Sequence, residues 1–202
     1  MTAALSPEQE KALATLAPAL PADAYLAGGV AVALHLGHRH SRDLDVFTVS
    51  SDPGLVVEAL ASRSDVHVTT HRAGTVYLEV GGVPVSIIRH PYPLLQPAAL
   101  GSQSTIPIAS AADLTAMKLQ AIATRGAARD FWDLHGLLGI RRISLAQALS
   151  DFGLRYPTAD VGHVVRSLVY FGDAAAAPLP AGLDPAHWAE IQRAFEAWVR
   201  AL

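Results

Sequence analysis

The sequence predicts an α+β fold in two parts, a lobe built on a mixed sheet followed by an all-helical lobe. Three observations carry this. Residues 25–49 read as strand, turn, helix and strand. Residues 66–89 hold three strand-like stretches in succession, and from Ser110 onward the apolar spacing is helical throughout. Pro91, Pro93 and Pro97 interrupt both periodicities, so the division is expected within 91–108, giving lobes of residues 1–108 and 109–202.

Each element has a local reason. Ser6-Pro7-Glu8 supplies an N-cap, a proline at the first helical position and an acid in the first turn, opening a helix to about Leu20. Tyr25-Leu26-Ala27 is a short strand that runs into Gly28-Gly29, and Val30 to Leu36 is the helix that follows. Asp43 to Val49 alternates polar and apolar residues as a strand does, and Pro53 to Ser62 is helical. Residues 66–72, 75–80 and 83–89 are strands, the last two joined at Gly81-Gly82. Ser110 and Asp113 are spaced like a capping box, with aspartate in place of the usual Glu or Gln. Leu114, Met117, Ala121 and Ile122 share one face of the helix they open, which Gly126 ends. Phe131, Leu134 and Leu138 form the stripe of the next helix. Residues 144–152, 161–171 and 185–202 are three more helices, with 174–180 a linker between the last two.

Composition sets the class. Hydrophobic residues make up 51% of the 202, enough for a sizeable core. No apolar run approaches the roughly 18 residues that cross a bilayer. Residues 1–10 lack the basic and apolar blocks of a signal peptide, and there is no cysteine for disulfides or thiolate metal sites. A cytoplasmic protein without membrane contact is expected. The net charge of −3 argues against coating nucleic acid by bulk electrostatics, so any RNA contact must be local. Of 15 basic residues only Lys11 and Lys118 are lysines, which makes a lysine inside a motif informative.

The chemistry concentrates between Gly28 and Asp45. Two glycines at a strand end, followed at once by a helix, leave backbone N–H groups open to a phosphate at the positive end of the helix dipole. Asp43 and Asp45, two apart on a strand, face one side and can hold a hard, oxygen-seeking Mg²⁺ or Mn²⁺, while Leu44 points to the core. Phosphoryl-type transfer uses such metal ions on the phosphates. Taken singly, the glycine pair also reads as a turn and the aspartates as solvated surface; their co-occurrence is the specific signal.

Leu26-Ala-Gly-Gly-Val30 followed by His38-Arg-His-Ser-Arg-Asp-Leu-Asp-Val-Phe47 resembles the signature of the AbiEii-type nucleotidyltransferases, toxins of type IV toxin–antitoxin systems. A second block, Asp113-Leu-Thr-Ala-Met-Lys118 with Ala121, Arg125 and Arg129-Asp130-Phe-Trp-Asp133-Leu134, resembles that family too, as do Ser167-Leu-Val-Tyr-Phe171 and Trp188. The resemblance implies a nucleotidyltransferase-like sheet lobe and a Mg²⁺- or Mn²⁺-dependent transfer of NMP from an NTP to a hydroxyl, with tRNA as an acceptor and an antitoxin as partner. It implies a triphosphate held by Gly28, Gly29 and Ser41, metal on Asp43 and Asp45, and Lys118 with Arg125 neutralising phosphate. Lys118 and Arg125, seven apart, share a helix face; Asp130 and Asp133 on the next helix would orient Lys118 or the substrate. Asp43, Asp45, Lys118 and Asp130 are thus the catalytic candidates, and Arg39 joins the NTP-binding set. A salt-bridge network between two helices is the other reading of the second block, and a solvated loop the other reading of Arg39 and Arg42.

One feature departs from the pattern. Nucleotidyltransferases carry a third carboxylate on a later strand, and here that place falls on Ser86, with Glu79 as a substitute. A catalytically silent module that binds a nucleotide or a partner is therefore the alternative function. His35, His38 and His40 invite a zinc reading, but zinc needs ligands fixed on one face, and His38 and His40 read as polar residues of the loop before the strand.

Overall fold

The computed structural model describes residues 5–202; the first four residues of the stretch read for a leader lie outside it. The chain divides into two compact units, Met1–Ser110 and Ala111–Leu202.

The first unit is α+β. In order it contains α1 (Pro7–Leu16), β1 (Tyr25–Ala27), α2 (Gly28–Leu36), β2 (Leu44–Thr48), α3 (Gly54–Leu60), β3 (Val66–Arg72), β4 (Thr75–Val80) and β5 (Val83–Arg89). The strands form one sheet in the order β1-β2-β5-β4-β3. β2 and β5 run parallel and the other pairs antiparallel, so the sheet is mixed. Alternation fixes the two faces. Leu44, Val46, Val76, Leu78, Val85 and Ile87 are buried on one side, while Asp45, Tyr77 and Glu79 look to the other. β3, at the edge, carries a bulge between Val68 and Thr70. Such irregularity discourages a second chain from pairing with it.

At the far end of β2, Asp23 closes the loop that follows. Its Oδ2 accepts hydrogen bonds from the backbone N–H groups of Val49, Ser50 and Ser51 and from the Ser50 hydroxyl, at 2.8–3.1 Å. Burial works to raise the pKa of this carboxyl, but the donors of Ser50 and Ser51 outweigh it and hold the group well below the usual carboxylate range.

The second unit is helical: α4 (Ala111–Arg125), α5 (Ala128–Arg141), α6 (Leu145–Arg155), α7 (Val161–Ser167), the single turn α8 (Gly172–Ala175) and α9 (Pro185–Arg200). Gly126 ends α4 at φ +53°, a conformation that suits glycine. Phe131 on α5 is fully buried and meets the rings of Phe171, Trp188 and Phe195 at 5.3, 5.8 and 5.3 Å. That cluster explains one correction. The helix expected over 161–171 stops at Ser167, the chain turns, and half-buried Phe171 packs its ring against Phe131 and Trp188; the expected linker 174–180 accordingly begins inside α8.

Asp113 in the first turn of α4 and Arg155 at the end of α6 form an ion pair with no exposed surface on either side chain. The Arg155 Nε also donates to the Tyr156 hydroxyl at 3.3 Å. Among the described residues no helix is long and apolar enough to cross a membrane.

Candidate active site

The first unit gathers the glycines and one acid. α2 starts at Gly28 directly from β1, and its N-cap, Ala27, has no side chain to bond the first-turn amides. Gly28 sits at φ +63°, and a Cβ there would lie 2.0 Å from Asp45 Oδ2. Only glycine lets the carboxylate rest against the helix start. A Cβ on Gly29 would lie 2.5 Å from Ser41 Oγ and 2.9 Å from Arg39 Nη2. Gly28, Gly29, Arg39, Ser41 and Asp45 are therefore one constellation, with hydroxyl, guanidinium and carboxylate converging on a helix N-terminus.

Strand pairing fixes Asp45. It lies opposite Ala27 in β1 and Ser86 in β5, and the Ser86 hydroxyl donates to Asp45 Oδ1 at 2.6 Å. Ser86 is buried and so occupies the slot beside the acid. Asp43 is placed differently from Asp45: β2 begins at Leu44, and Asp43 is exposed in the bend just before it. Glu79 is exposed on β4, opposite Pro84. It stands two strands from Asp45, about 10 Å in sheet spacing.

The loop between α2 and β2 has a support that the sequence did not reveal. Gln9 in α1 donates from its side-chain amide to the carbonyls of Ser41 and Arg42, at 2.8 and 3.1 Å. A glutamine at the third position of a helix signals capping, and nothing in its spacing points 32 residues ahead.

The second unit holds the other candidates. Lys118 on α4 is buried, its Nζ 2.9 Å from Asp130 Oδ1 and 2.7 Å from Asp133 Oδ2, both carboxylates fully enclosed. Arg125, two helical turns further on, forms a bidentate pair with Asp130 through Nε and Nη2, each at 2.8 Å, with about half its side chain exposed (53%). Burial alone would raise the pKa of Asp130, but the hydrogen bonds of Arg125 and the charge of Lys118 lower it below the ordinary value. Lys118, Arg125, Asp130 and Asp133 thus form one charge-balanced network of two cations and two anions.

Among the described residues there is no grouping of three or more His, Asp or Glu side chains that could hold a metal ion. Mg²⁺ takes one or two protein oxygens and completes its shell with water and substrate phosphates. The donor set of Asp43 and Asp45 fits that pattern, since all its atoms are hard oxygens.

The chain is similar to several known proteins. The family described as nucleotidyl transferase AbiEii toxin, type IV TA system, matches residues 66–201. That span contains β3 to β5 and the Lys118 network, while the glycine–aspartate corner precedes it. An uncharacterized protein of Aquifex aeolicus (strain VF5) is 32% identical over 181 residues, covering 88% of this chain and 87% of its own. Among solved structures, the nucleotidyltransferase toxin MenT4 from Mycobacterium tuberculosis H37Rv is similar in fold, with a TM-score of 0.60 at 17% identity over 96% of this chain and 82% of that one. JHP933 from Helicobacter pylori has a TM-score of 0.48 at 16% identity, over 98% and 97% of the two chains.

Proposed function

Since this chain belongs to the AbiEii nucleotidyltransferase toxin family of type IV toxin–antitoxin systems, we propose that it transfers NMP from an NTP to a hydroxyl of an acceptor, with tRNA as that acceptor. The observation that carries this reading is the contact of Asp45 with Gly28 at the start of α2, with Ser41 and Arg39 against Gly29. Amides at a helix N-terminus, a hydroxyl and a guanidinium are phosphate-binding groups, and here they adjoin a carboxylate.

In this reading Gly28, Gly29, Ser41 and Arg39 hold the triphosphate, and Asp43 and Asp45 would hold Mg²⁺ or Mn²⁺. When bound, such an ion neutralises phosphate charge and makes the attacking hydroxyl more acidic. Ser86 keeps Asp45 aimed. In the second unit, Lys118, Arg125 and Asp130 are the other proposed functional residues; of these Arg125 has the solvent-facing charge, and Lys118 fixes the buried carboxylates. The hydroxyl forms its bond to the α-phosphorus, pyrophosphate leaves, and the hydroxyl proton is released. A cognate antitoxin is the expected protein partner, and the cytoplasm, which supplies NTP, the expected compartment.

The test is to incubate the protein with each labelled NTP, Mg²⁺ and total tRNA, and to follow label into RNA and protein. Transfer into tRNA that Asp45→Asn abolishes supports the proposal. Ser86, a neutral residue in the third-carboxylate place, favours a second reading, a module that binds nucleotide and does not turn it over. NTP binding without transfer to any acceptor would establish that reading instead.

A further inference from the structure

Resting on the NTP-binding reading above, we propose that Gln9 is a positioning residue for the phosphate- and metal-binding corner, acting through the loop that carries Ser41 and Asp43. Gln9 is 5% exposed, and its amide is engaged at both ends. Its Oε1 accepts from the backbone N–H of Ser6 at 2.9 Å, while its backbone N–H donates to Ser6 Oγ at 3.3 Å, a reciprocal capping box. Its Nε2 then reaches two consecutive carbonyls across the unit, Ser41 and Arg42. The amide has one orientation that works, because its nitrogen faces two acceptors and its oxygen a donor.

The position of those carbonyls gives the bond its meaning. The Ser41 side chain lies against Gly29 at the start of α2, and Asp43 is the next residue but one after Ser41. Two hydrogen bonds to adjacent peptide units fix the peptide plane between them, hence the direction in which Ser41 Oγ and the Asp43 carboxylate leave the backbone. The loop is otherwise open: Arg42 and Asp43 are exposed and belong to no helix or strand. Rigid support of this kind matters because small misplacements at a phosphate site cost large factors in binding and rate.

A plain capping role and a positioning role predict opposite results for one substitution. Glu is the usual residue at this place in a capping box, so Gln9→Glu preserves the cap. It also replaces the donor facing Ser41 and Arg42 by a carboxylate oxygen that repels both carbonyls. Ser6→Ala does the reverse, breaking the cap and leaving the bridge to the loop.

The experiment measures dissociation constants for the four NTPs with Mn²⁺ on the full chain, at a temperature well below each variant's melting point. For the best-bound NTP, Gln9→Glu is expected to raise the constant about tenfold or more, while Ser6→Ala stays within about twofold of wild type despite its lower melting temperature. If Gln9→Glu does not fold, Gln9→Met, of similar length and without donors, takes its place with the same expected direction. Unchanged NTP affinity in the folded Gln9 variant overturns the inference and leaves the NTP-binding reading standing. Equal losses in the Gln9 and Ser6 variants also overturn it, because stability alone would then account for both. A wild-type protein that binds no NTP overturns the underlying reading as well.

Discussion

Ser86 and Asp45 are direct partners across the parallel β2–β5 pair, their side chains joined by a 2.6 Å hydrogen bond on the sheet face opposite Leu44 and Val46. A neutral hydroxyl thus occupies the position where a further acid would add to the proposed metal-binding pair. Without metal, Ser86→Asp is expected to be mildly destabilising, since two carboxylates would meet where one donor–acceptor pair stood. Adding Mn²⁺ and NTP should shrink or reverse that penalty, because a third hard oxygen ligand improves the donor set. Melting temperatures of the two proteins with and without these additions check it; identical metal-dependent shifts would place the third ligand elsewhere.

Gly28 and Gly37 provide a matched pair. Both have φ near +60°, so Ala at either pays about 1–2 kcal/mol of left-handed backbone strain. At Gly37 a Cβ meets nothing within 4 Å, whereas at Gly28 it strikes the Asp45 carboxylate. Gly28→Ala should therefore abolish the stabilisation that Mn²⁺ and NTP give, and Gly37→Ala should retain it. Thermal shifts with saturating ligand distinguish the two.

Lys118 sits between two enclosed carboxylates, not on an exposed helix face. Lys118→Ala is expected to lower stability by about 3–5 kcal/mol, because it strands buried negative charge. Arg125→Ala, from the half-exposed member of the same network, should cost clearly less. Equilibrium urea denaturation of both variants measures the difference, and similar losses would refute the burial argument.

Asp23 makes stability depend on pH in a fixed direction. Its folded pKa lies below the unfolded value near 3.9, so its contribution is complete above that value. The contribution is lost as pH falls below about 4 toward the folded pKa. Asp23→Asn should flatten the acid limb of a stability–pH curve relative to wild type while lowering stability at neutral pH. Urea midpoints between pH 3 and pH 7 test this; parallel curves would exclude the carboxylate as the titrating group.

Local chemistry made much of the fold readable. The strands at 66–72, 75–80 and 83–89 have the bounds read from the sequence; β4 and β5 set buried positions against open ones, while edge strand β3 has no buried residue and is marked by its β-branched residues and its pairing with β4. Helix 161–171 was not readable to its end because the ring contact of half-buried Phe171 with Phe131 overrides the local helical preference. The glycine–aspartate corner was visible as residue types in order. That Asp43 stands outside the strand was not, because strand ends depend on which partner residues pair. Gln9 with the Ser41 loop and Asp113 with Arg155 join residues 32 and 42 positions apart, and no local pattern encodes such a contact.

The enclosed Asp113–Arg155 pair also bears on errors in assembly. Helices packed by apolar side chains alone can slide by a turn, about 5.4 Å, and still bury grease against grease. For α4 and α6 such a slip would leave a guanidinium and a carboxylate each facing hydrocarbon. The wrong alignment is thereby made costly without the right one having to be especially tight, and α4 reaches its place by rejection of its neighbours in register.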